Sequence, residues 1–487
     1  MKIFTAIILA ALSFLTLFPQ EFIFRDDPLY DEIEFLVRRD IIDIDFLNLP
    51  MRSDKVILAI ESAWIEKMNK ENGFSQEELI AINSILERYS RRDDLVIEDD
   101  ASFLVSYSDS VDYLFKNILY AKKNIPHGIL VFEILTEAPF ENTDSTSFRM
   151  DEWKNTGSDC RNTYAAVFGD AWSILFGRIL PAWGQGIKDD IFFSRKILPM
   201  DGLLAEIYWE SGSFSFFAAN KSEYHHANKR TVDNAYMSSH KLSFKLPFKT
   251  TLSFKETVLY RSNLPQMYYL NPAMFYYVIQ HNSHSDDNIF WSLEISNKRI
   301  EGLLLSGEFF IDDFQYDKDY EYVPHKIGLL LNGSLSLNIR MNPIFYGEYC
   351  FINTYTNTHQ YTSLSYSYYN APMSYMSGTD MDNISFGVKT IQAKNLEVYL
   401  DISYLRQGDG KLTNSWESEM PDSDLAFPSG TIDRIISSEI GMGYKFNKIL
   451  SFEISALASL LNGYEESGEE ISNRGVLNLT GKLKVVI

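Results

Sequence analysis

Apolar and polar side chains alternate along most of this chain. The pattern is clear in "LSFKLPFKTTLSFKETVLY" at 242–260, where apolar positions are separated by Ser243, Lys245, Ser253 and Lys255. Successive strand side chains point to opposite faces, so this run reads as strands. Pro247 to Thr250 breaks it as a tight turn, giving a hairpin. The same period returns in "GLLLSGEFFID", where Leu303, Leu305, Phe309 and Ile311 oppose Ser306, Glu308 and Asp312. It returns again with Ile327, Leu329, Leu331 and Leu335 against Asn332, Ser334 and Ser336, and with Leu450, Phe452, Ile454 and Leu460 against Ser451, Glu453 and Ser455. "LNLTGKLKVVI" repeats it at the end of the chain. Each run is about 10 residues, the length of a tilted membrane-spanning strand.

A soluble sheet would hide the apolar face in a core; a membrane barrel would turn it to lipid and the lysines to the lumen. The links between strands favour the barrel. Short ones (the Pro247 turn, "SNKRIEG", "QAKNLE", "FNKIL") alternate with long ones near 138–160, 181–202, 221–240, 261–288, 313–325, 353–383, 406–433 and 461–475. Short periplasmic turns and long external loops give that rhythm, and a soluble sandwich has no reason for it. The prediction is an all-β transmembrane barrel of 16–18 antiparallel strands, the higher count holding if "YTSLSYSYY" or the stretch before 127 adds a pair. An even count leaves both chain ends in the periplasm. A soluble all-β protein is the alternative.

Residues 28–95 follow a different period. In "FSQEELIAINSILERY", Ser75 and Glu78 form a capping box, Phe74 and Leu79 sit at staple positions, and Leu79, Ile82, Leu86 and Tyr89 recur at helical spacing. "PLYDEIEFLVRR" and "SDKVILAIESAWIEKM" read likewise. The expected organisation is a signal peptide at 1–20, a helical periplasmic module at 21–100, an uncertain connection or first strand at 101–126, and the barrel over 127–487. Met1-Lys2 followed by "IFTAIILAALSFLTLF" carries the signal-peptide reading. Aromatic residues are 14% of the chain, and the formal net charge of −22 argues against a nucleic-acid partner.

Three motifs carry a family resemblance. "GRILPAWGQGIKDDIFFSRKILPMDGL" (177–203) is similar to a stretch of the capsule assembly Wzi family, with Arg178, then Gly184 and Gly186 after Trp183, then Ser194, Pro199 and Asp201. Gln185 stands where some members carry Pro. "YLNPAMFYYVIQHNSHSDDNIFWSLEI" (269–295) resembles that family's Asn-Pro segment at Asn271 and Pro272, its aromatic pair, and its Asp287-Asn288 entry to a strand. "LLLSGEFFIDDF" resembles the next strand, ending in Asp312 and Asp313. The resemblance implies an outer-membrane barrel with periplasmic helices. Its characterised members hold capsular polysaccharide at the cell surface, and related barrels are tied to gliding machinery. The partners it implies are outer-membrane lipid, a surface polysaccharide and a periplasmic protein.

Candidate chemistry is sparse, and neither catalysis nor a cofactor is expected. Sugar rings stack their C–H faces on aromatic side chains while amides and carboxylates fix their hydroxyls. On that basis Trp183, Gln185, Asn271, Tyr276, Tyr277, Asn282 and Trp416, all on long loops, are the candidate ligand-binding residues. The bland alternative is that these aromatics pack the loops or form the interfacial girdle. His281 and His284 with Asp286 and Asp287 have ligand-like spacing, and "GTDMDN" (378–383) and "GDGKLTN" (408–414) carry oxygen ligands around glycine, but none completes a metal motif, and no metal is assigned. Glu308, Glu348 and Glu453 are explained by lumen polarity more simply than by acid–base catalysis. Cys160 and Cys350 form no disulfide framework. The function expected is binding or organising surface polysaccharide; the alternatives are a diffusion porin and a scaffold barrel.

Overall fold

A computed structural model describes residues 21–486 apart from 25–26, 28, 40, 45–48, 70–73, 90–94, 108–110, 126, 140–153, 226–229, 233, 314–323, 338, 340–341, 370, 391–395, 416–426, 447–449 and 465–469. The signal-peptide reading of 1–20 and the candidate Trp416 lie outside the described residues.

Eighteen antiparallel strands close into one barrel. They are β1 Leu95–Tyr107, β2 Val111–Ile125, β3 Gly128–Ala138, β4 in two pieces (Gly157–Cys160 and Thr163–Phe168), β5 Trp172–Ile179 and β6 Met200–Trp209. Next come β7 Gly212–Asn220, β8 Ala235–Leu246, β9 Thr250–Arg261, β10 Asn288–Asn297, β11 Leu303–Asp313 and β12 Lys326–Ser336. The last six are β13 Pro343–Ile352, β14 Met381–Thr390, β15 Leu396–Gln407, β16 Asp433–Lys445, β17 Leu450–Tyr464 and β18 Glu470–Val486. Each strand pairs with its sequence neighbour, and β18 returns to β1, with Leu479 opposite Tyr107 and Val486 opposite Asp100. The barrel therefore begins at Leu95 rather than near 127, and β1 and β2 supply the extra pair. "YTSLSYSYY" adds none. It forms a 3-10 turn at Thr362–Leu364 and a two-residue pairing of Ser367–Tyr368 with Ala371–Pro372.

The alternation sorts the wall as the sequence requires. Leu293, Ile295, Leu305, Phe309, Leu331, Phe345, Ile402, Ile440 and Ile454 are exposed on the outside, as a lipid-facing belt must be. Inside, Ser239 meets Thr257 at 2.7 Å and Ser243 meets Ser253 at 2.8 Å. Lys255, fully buried, lies 2.5 Å from Glu294 and 2.7 Å from Glu308. The lysine row of the hairpin thus points into the lumen. Among the described residues no helix is long and apolar enough to cross a membrane.

Ahead of the barrel lie α1 (Tyr30–Arg38), α2 (Ser53–Asn69) and α3 (Gln76–Tyr89). The capping box forms: Ser75 Oγ accepts from the Glu78 N–H at 3.2 Å, and Glu78 Oε2 accepts from the Ser75 N–H at 2.9 Å. Ile33, Leu36, Val56, Ile60, Ile82 and Ile85 form the helical core, which continues onto Leu304 and Ile344 of the wall. Polar ties fix this module to the end of the barrel with the short links. Lys55 Nζ donates to Asp170 O at 2.8 Å, Arg39 to Asn342 Oδ1 at 3.0 Å, and Lys298 lies 2.6 Å from Asp43.

Candidate functional site

Two of the long loops fill the lumen. After β5 the chain turns inward, and Ala182 exchanges both backbone hydrogen bonds with Leu49, at 3.1 and 3.2 Å, next to the helical module. Trp183 follows, 0% exposed, with the Phe193 ring centroid at 5.3 Å and Phe192 stacked at 6.4 Å. Gly184 and Gly186 are needed for close approach: a Cβ would stand 2.5 Å from the Asp190 carboxylate and 1.7 Å from the Asp189 carbonyl, respectively. The segment ties itself together. Asp190 accepts from the Gly186 N–H at 2.7 Å and from Arg195 Nε at 3.0 Å, and Asp189 accepts from Ser194 Oγ at 2.7 Å and the Arg195 N–H at 2.8 Å. Burial holds the Asp189 carboxyl above the usual carboxylate range. Pro199, buried, leads into β6.

The wall receives this loop through Glu348 of β13. Its carboxylate accepts the backbone N–H groups of Ile187 and Lys188 and the Tyr375 hydroxyl, the last at 2.9 Å. Asn332 Nδ2 donates to Gln185 O at 3.0 Å. The 353–380 loop packs against the first: Tyr366 OH donates to Phe192 O at 2.5 Å, and the Ser194 N–H to Met373 O at 2.7 Å. It is held in turn by Asp312, which accepts the Asn357 N–H at 2.7 Å, and by Asn288, whose side chain donates to Leu364 O at 3.0 Å. Asp313 sits at a register shift opposite Lys326. Of the family-like motif residues, Asn288 and Asp312 pin a lumen loop to the wall, while Gly184, Gly186 and Ser194 shape the loop itself. Arg178 and Asp201 are exceptions: they face outward, joined by two contacts of 2.8 Å, with Asp159 2.9 Å from the same guanidinium.

The 262–287 loop goes the other way and lies on the outer wall over β8, β9 and β10. Its helix α4 (Tyr276–Ser283) starts on Glu256, which faces outward and accepts the N–H groups of Tyr276 at 3.0 Å and Tyr277 at 3.2 Å. The same carboxylate takes Trp291 Nε1 at 2.9 Å and lies 3.1 Å from His240 Nε2. Tyr269, Tyr276 and Ile279 bury Val258, Tyr260 and Ile289 beneath them. Asp287 accepts from the Tyr269 hydroxyl and from Ser285 Oγ, the latter at 2.5 Å.

These placements correct the sequence-based list of binding residues. Trp183 and Gln185 are not offered to external solvent; they are buried in the lumen packing, because a loop inside a barrel needs an apolar anchor. Tyr276 is buried against the outer wall, and Tyr277, half-exposed, packs on Trp291 at 5.1 Å. Asn271, Pro272 and Asn282 are exposed on that outer loop, and the Asn271 side chain is turned to its own backbone, accepting the Ala273 N–H at 3.1 Å.

The long-loop rim carries a group that sequence reasoning missed. Tyr361, 39% exposed, has the Arg261 guanidinium 4.6 Å from its ring centroid and the His359 ring at 5.8 Å, with Gln360 exposed between them. Burial, with Lys326 and Arg261 nearby, pushes His359 down to about 4. No spacing rule marks this trio, since Arg261 ends β9 and the others lie a whole loop system later.

The remaining motifs do other work. Asp380 of "GTDMDN" accepts from the Ser429 N–H (2.9 Å), Ser429 Oγ (2.6 Å), the Gly410 N–H (2.9 Å) and Thr354 Oγ1 (2.8 Å). Its lone pairs are occupied by donors, so it clasps three loop segments. His281 and His284 are exposed with ring centroids 6.5 Å apart, and among the described residues no group of three His, Cys, Asp or Glu is gathered as a metal site. Cys160 and Cys350 are free thiols.

No protein-family model and no curated protein sequence matches the chain. Among solved structures, its fold is similar to Wzi, an outer-membrane protein of Escherichia coli involved in group 1 capsule assembly and described as a carbohydrate-binding β-barrel. The TM-score is 0.66 at 13% identity, covering 95% of this chain and 99% of Wzi. It is more distantly similar to the Pseudomonas aeruginosa outer-membrane protein OpdK (TM-score 0.45, 10% identity, 80% of this chain and 99% of that one). Acinetobacter baumannii OccAB4 gives a TM-score of 0.48 at 7% identity, over 81% of this chain and 97% of its own. The fold is that of an outer-membrane β-barrel.

Proposed function

We propose that this outer-membrane barrel holds a surface polysaccharide at its external rim, with residues 1–20 directing export and the helical module facing the periplasm. The observation that supports it most is the likeness to Wzi over nearly the whole length of both chains. The packed lumen agrees, since two loops that pin each other inside the wall leave little room for wide diffusion. At the rim, the part of Tyr361 left exposed beside the Arg261 guanidinium offers aromatic surface to a sugar, and the exposed Gln360 offers polar groups for its hydroxyls. With a net charge of −22, an anionic polymer would be repelled unless divalent cations bridge it, so a neutral glycan is the expected ligand. The test is cell-bound against shed polysaccharide in cells carrying Tyr361→Ala, with barrel folding checked by heat-modifiable gel migration. Retention should fall while migration is unchanged; equal retention would remove the rim from the reading.

A second reading, slow conduction of small solutes, has one observation in its favour. Along β16, β17 and β18, the inward side chains Glu439, Glu453, Ser455, Thr480 and Lys482 keep solvent contact instead of being covered by the lumen loops. Steady single-channel currents from the purified protein in planar bilayers would support it.

A further inference from the structure

The link between β9 and β10 is one of the long, external ones, yet it does not stand in water above the wall. It reaches down the outside of the barrel until the Phe275 ring lies 6.5 Å from that of Phe254, and α4 begins on Glu256. Phe254 lies well down β9, about 18 Å below Arg261 for a strand tilted by ~40°. Outward positions at that level belong to the lipid-facing belt: Phe254 pairs with Leu293 and Leu293 with Phe309, both exposed. The lower tip of the loop is therefore at hydrocarbon depth.

The side chains it turns away from the wall are largely apolar. Leu264, Met267, Met274, Phe275 and Val278 are all exposed, Met267 and Phe275 by 78% and 61%. Helix α4 is graded along its length. Phe275 and Val278 stand at its deep start, and His281, Asn282 and His284 are exposed at the end that returns to β10. Such a cluster is unfavourable in water. Beside acyl chains it extends the belt, and the polar end then falls among the headgroups. The underside agrees with that depth. The Glu256 carboxylate is wholly buried, occupied by the Tyr276 and Tyr277 N–H groups, Trp291 and His240, so hydrocarbon never meets it.

We propose that the 262–287 loop is embedded in the outer leaflet of the membrane and takes that leaflet's fatty acyl chains on its exposed apolar face. Continuity with the lipid-facing wall selects this occupant, because Phe275 stands beside Phe254 at the upper part of the belt. The grading of α4 follows the change from hydrocarbon to headgroups, which a face made for a second protein would not need. The barrel is thereby broadened in one leaflet only. This inference rests on the fold and does not depend on the rim's role.

The experiment is electron paramagnetic resonance of nitroxide labels, read as collision with oxygen or with a nickel chelate. The full chain carrying Cys160→Ser is labelled at Phe275→Cys, Val278→Cys, Leu293→Cys or His284→Cys, one at a time; Cys350 is buried. Each variant is reconstituted in dioleoylphosphatidylcholine vesicles, with heat-modifiable migration confirming the barrel. Oxygen concentrates in hydrocarbon, whereas the chelate, present on both sides of the membrane, stays in water. The oxygen-to-nickel ratio at Phe275→Cys and Val278→Cys should approach that of Leu293→Cys on bare wall, several-fold above His284→Cys. A ratio as low as that of His284→Cys would place the loop in water and overturn the proposal. Shielding of both loop labels from both probes would assign the face to a second copy of the chain and overturn it equally.

Discussion

The 180–199 loop and the 262–287 loop use one device on opposite faces of the same wall. Each hands two consecutive backbone N–H groups to a single strand carboxylate: Ile187 and Lys188 to Glu348 inside, Tyr276 and Tyr277 to Glu256 outside. The difference lies in what the carboxylate would meet without its loop. Glu348 belongs to the polar inward row. Glu256 stands in the outward row Leu252, Phe254, Glu256, Val258, Tyr260, where hydrocarbon would otherwise lie, and it carries His240 and Trp291 with it. In both cases the loop lies on the side of the wall that offers it a carboxylate. Outside, the loop takes the place of lipid over β8–β10 and turns Met267, Phe275 and Val278 outward instead.

Removing the inner pin should do the most damage. Glu348→Leu leaves buried N–H groups and the Tyr375 hydroxyl without their acceptor, an expected loss of about 3–5 kcal/mol in urea unfolding from detergent. Next is Leu331→Arg, on bare outer wall, which should cost about 2–4 kcal/mol and lower the yield of heat-modifiable barrel. Glu256→Leu should act differently. It restores an apolar outward row, so the barrel should assemble normally while limited proteolysis gains a cut within 262–287; loss of the barrel itself would show that the outer pin supports the wall as the inner one does. The smallest effect is at the rim. His359 is depressed to about 4 from an unfolded value near 6.5, so as pH falls the unfolded chain takes up its proton first. Stability should decline from about pH 6.5 towards 4 and be unaffected above that window. His359→Gln should flatten this slope in melting temperature against pH.

Strand faces and loop positions were legible because each rests on a local rule. Leu305 and Phe309 outside against Ser306 and Glu308 inside follow from period two alone, and the Ser75–Glu78 box from four residues. The first strand was obscured by Glu98, Asp99 and Asp100, which interrupt its alternation; Glu98 lies 3.3 Å from Arg88 of the helical module, and Asp99 accepts from Asn117 at 2.6 Å. "YTSLSYSYY" alternates as a strand would, yet Tyr366 and Tyr368 are core side chains of the lumen. The destinations of the loops could not be read, because Glu256 and Glu348 look alike until register assigns their faces. Trp183 misled for the same reason: an aromatic in a long loop suits a sugar or a plug equally.

The bond between Leu49 and Ala182 has a mechanical consequence. From it, hydrogen bonds run through Phe192 to Tyr366 and from Ser194 to Met373, reaching the loop that carries Tyr361. The helices at one end and the rim at the other are thus joined by an internal strut as well as by the strands. A pull on the rim therefore reaches the helical module through this strut as well as through the strands.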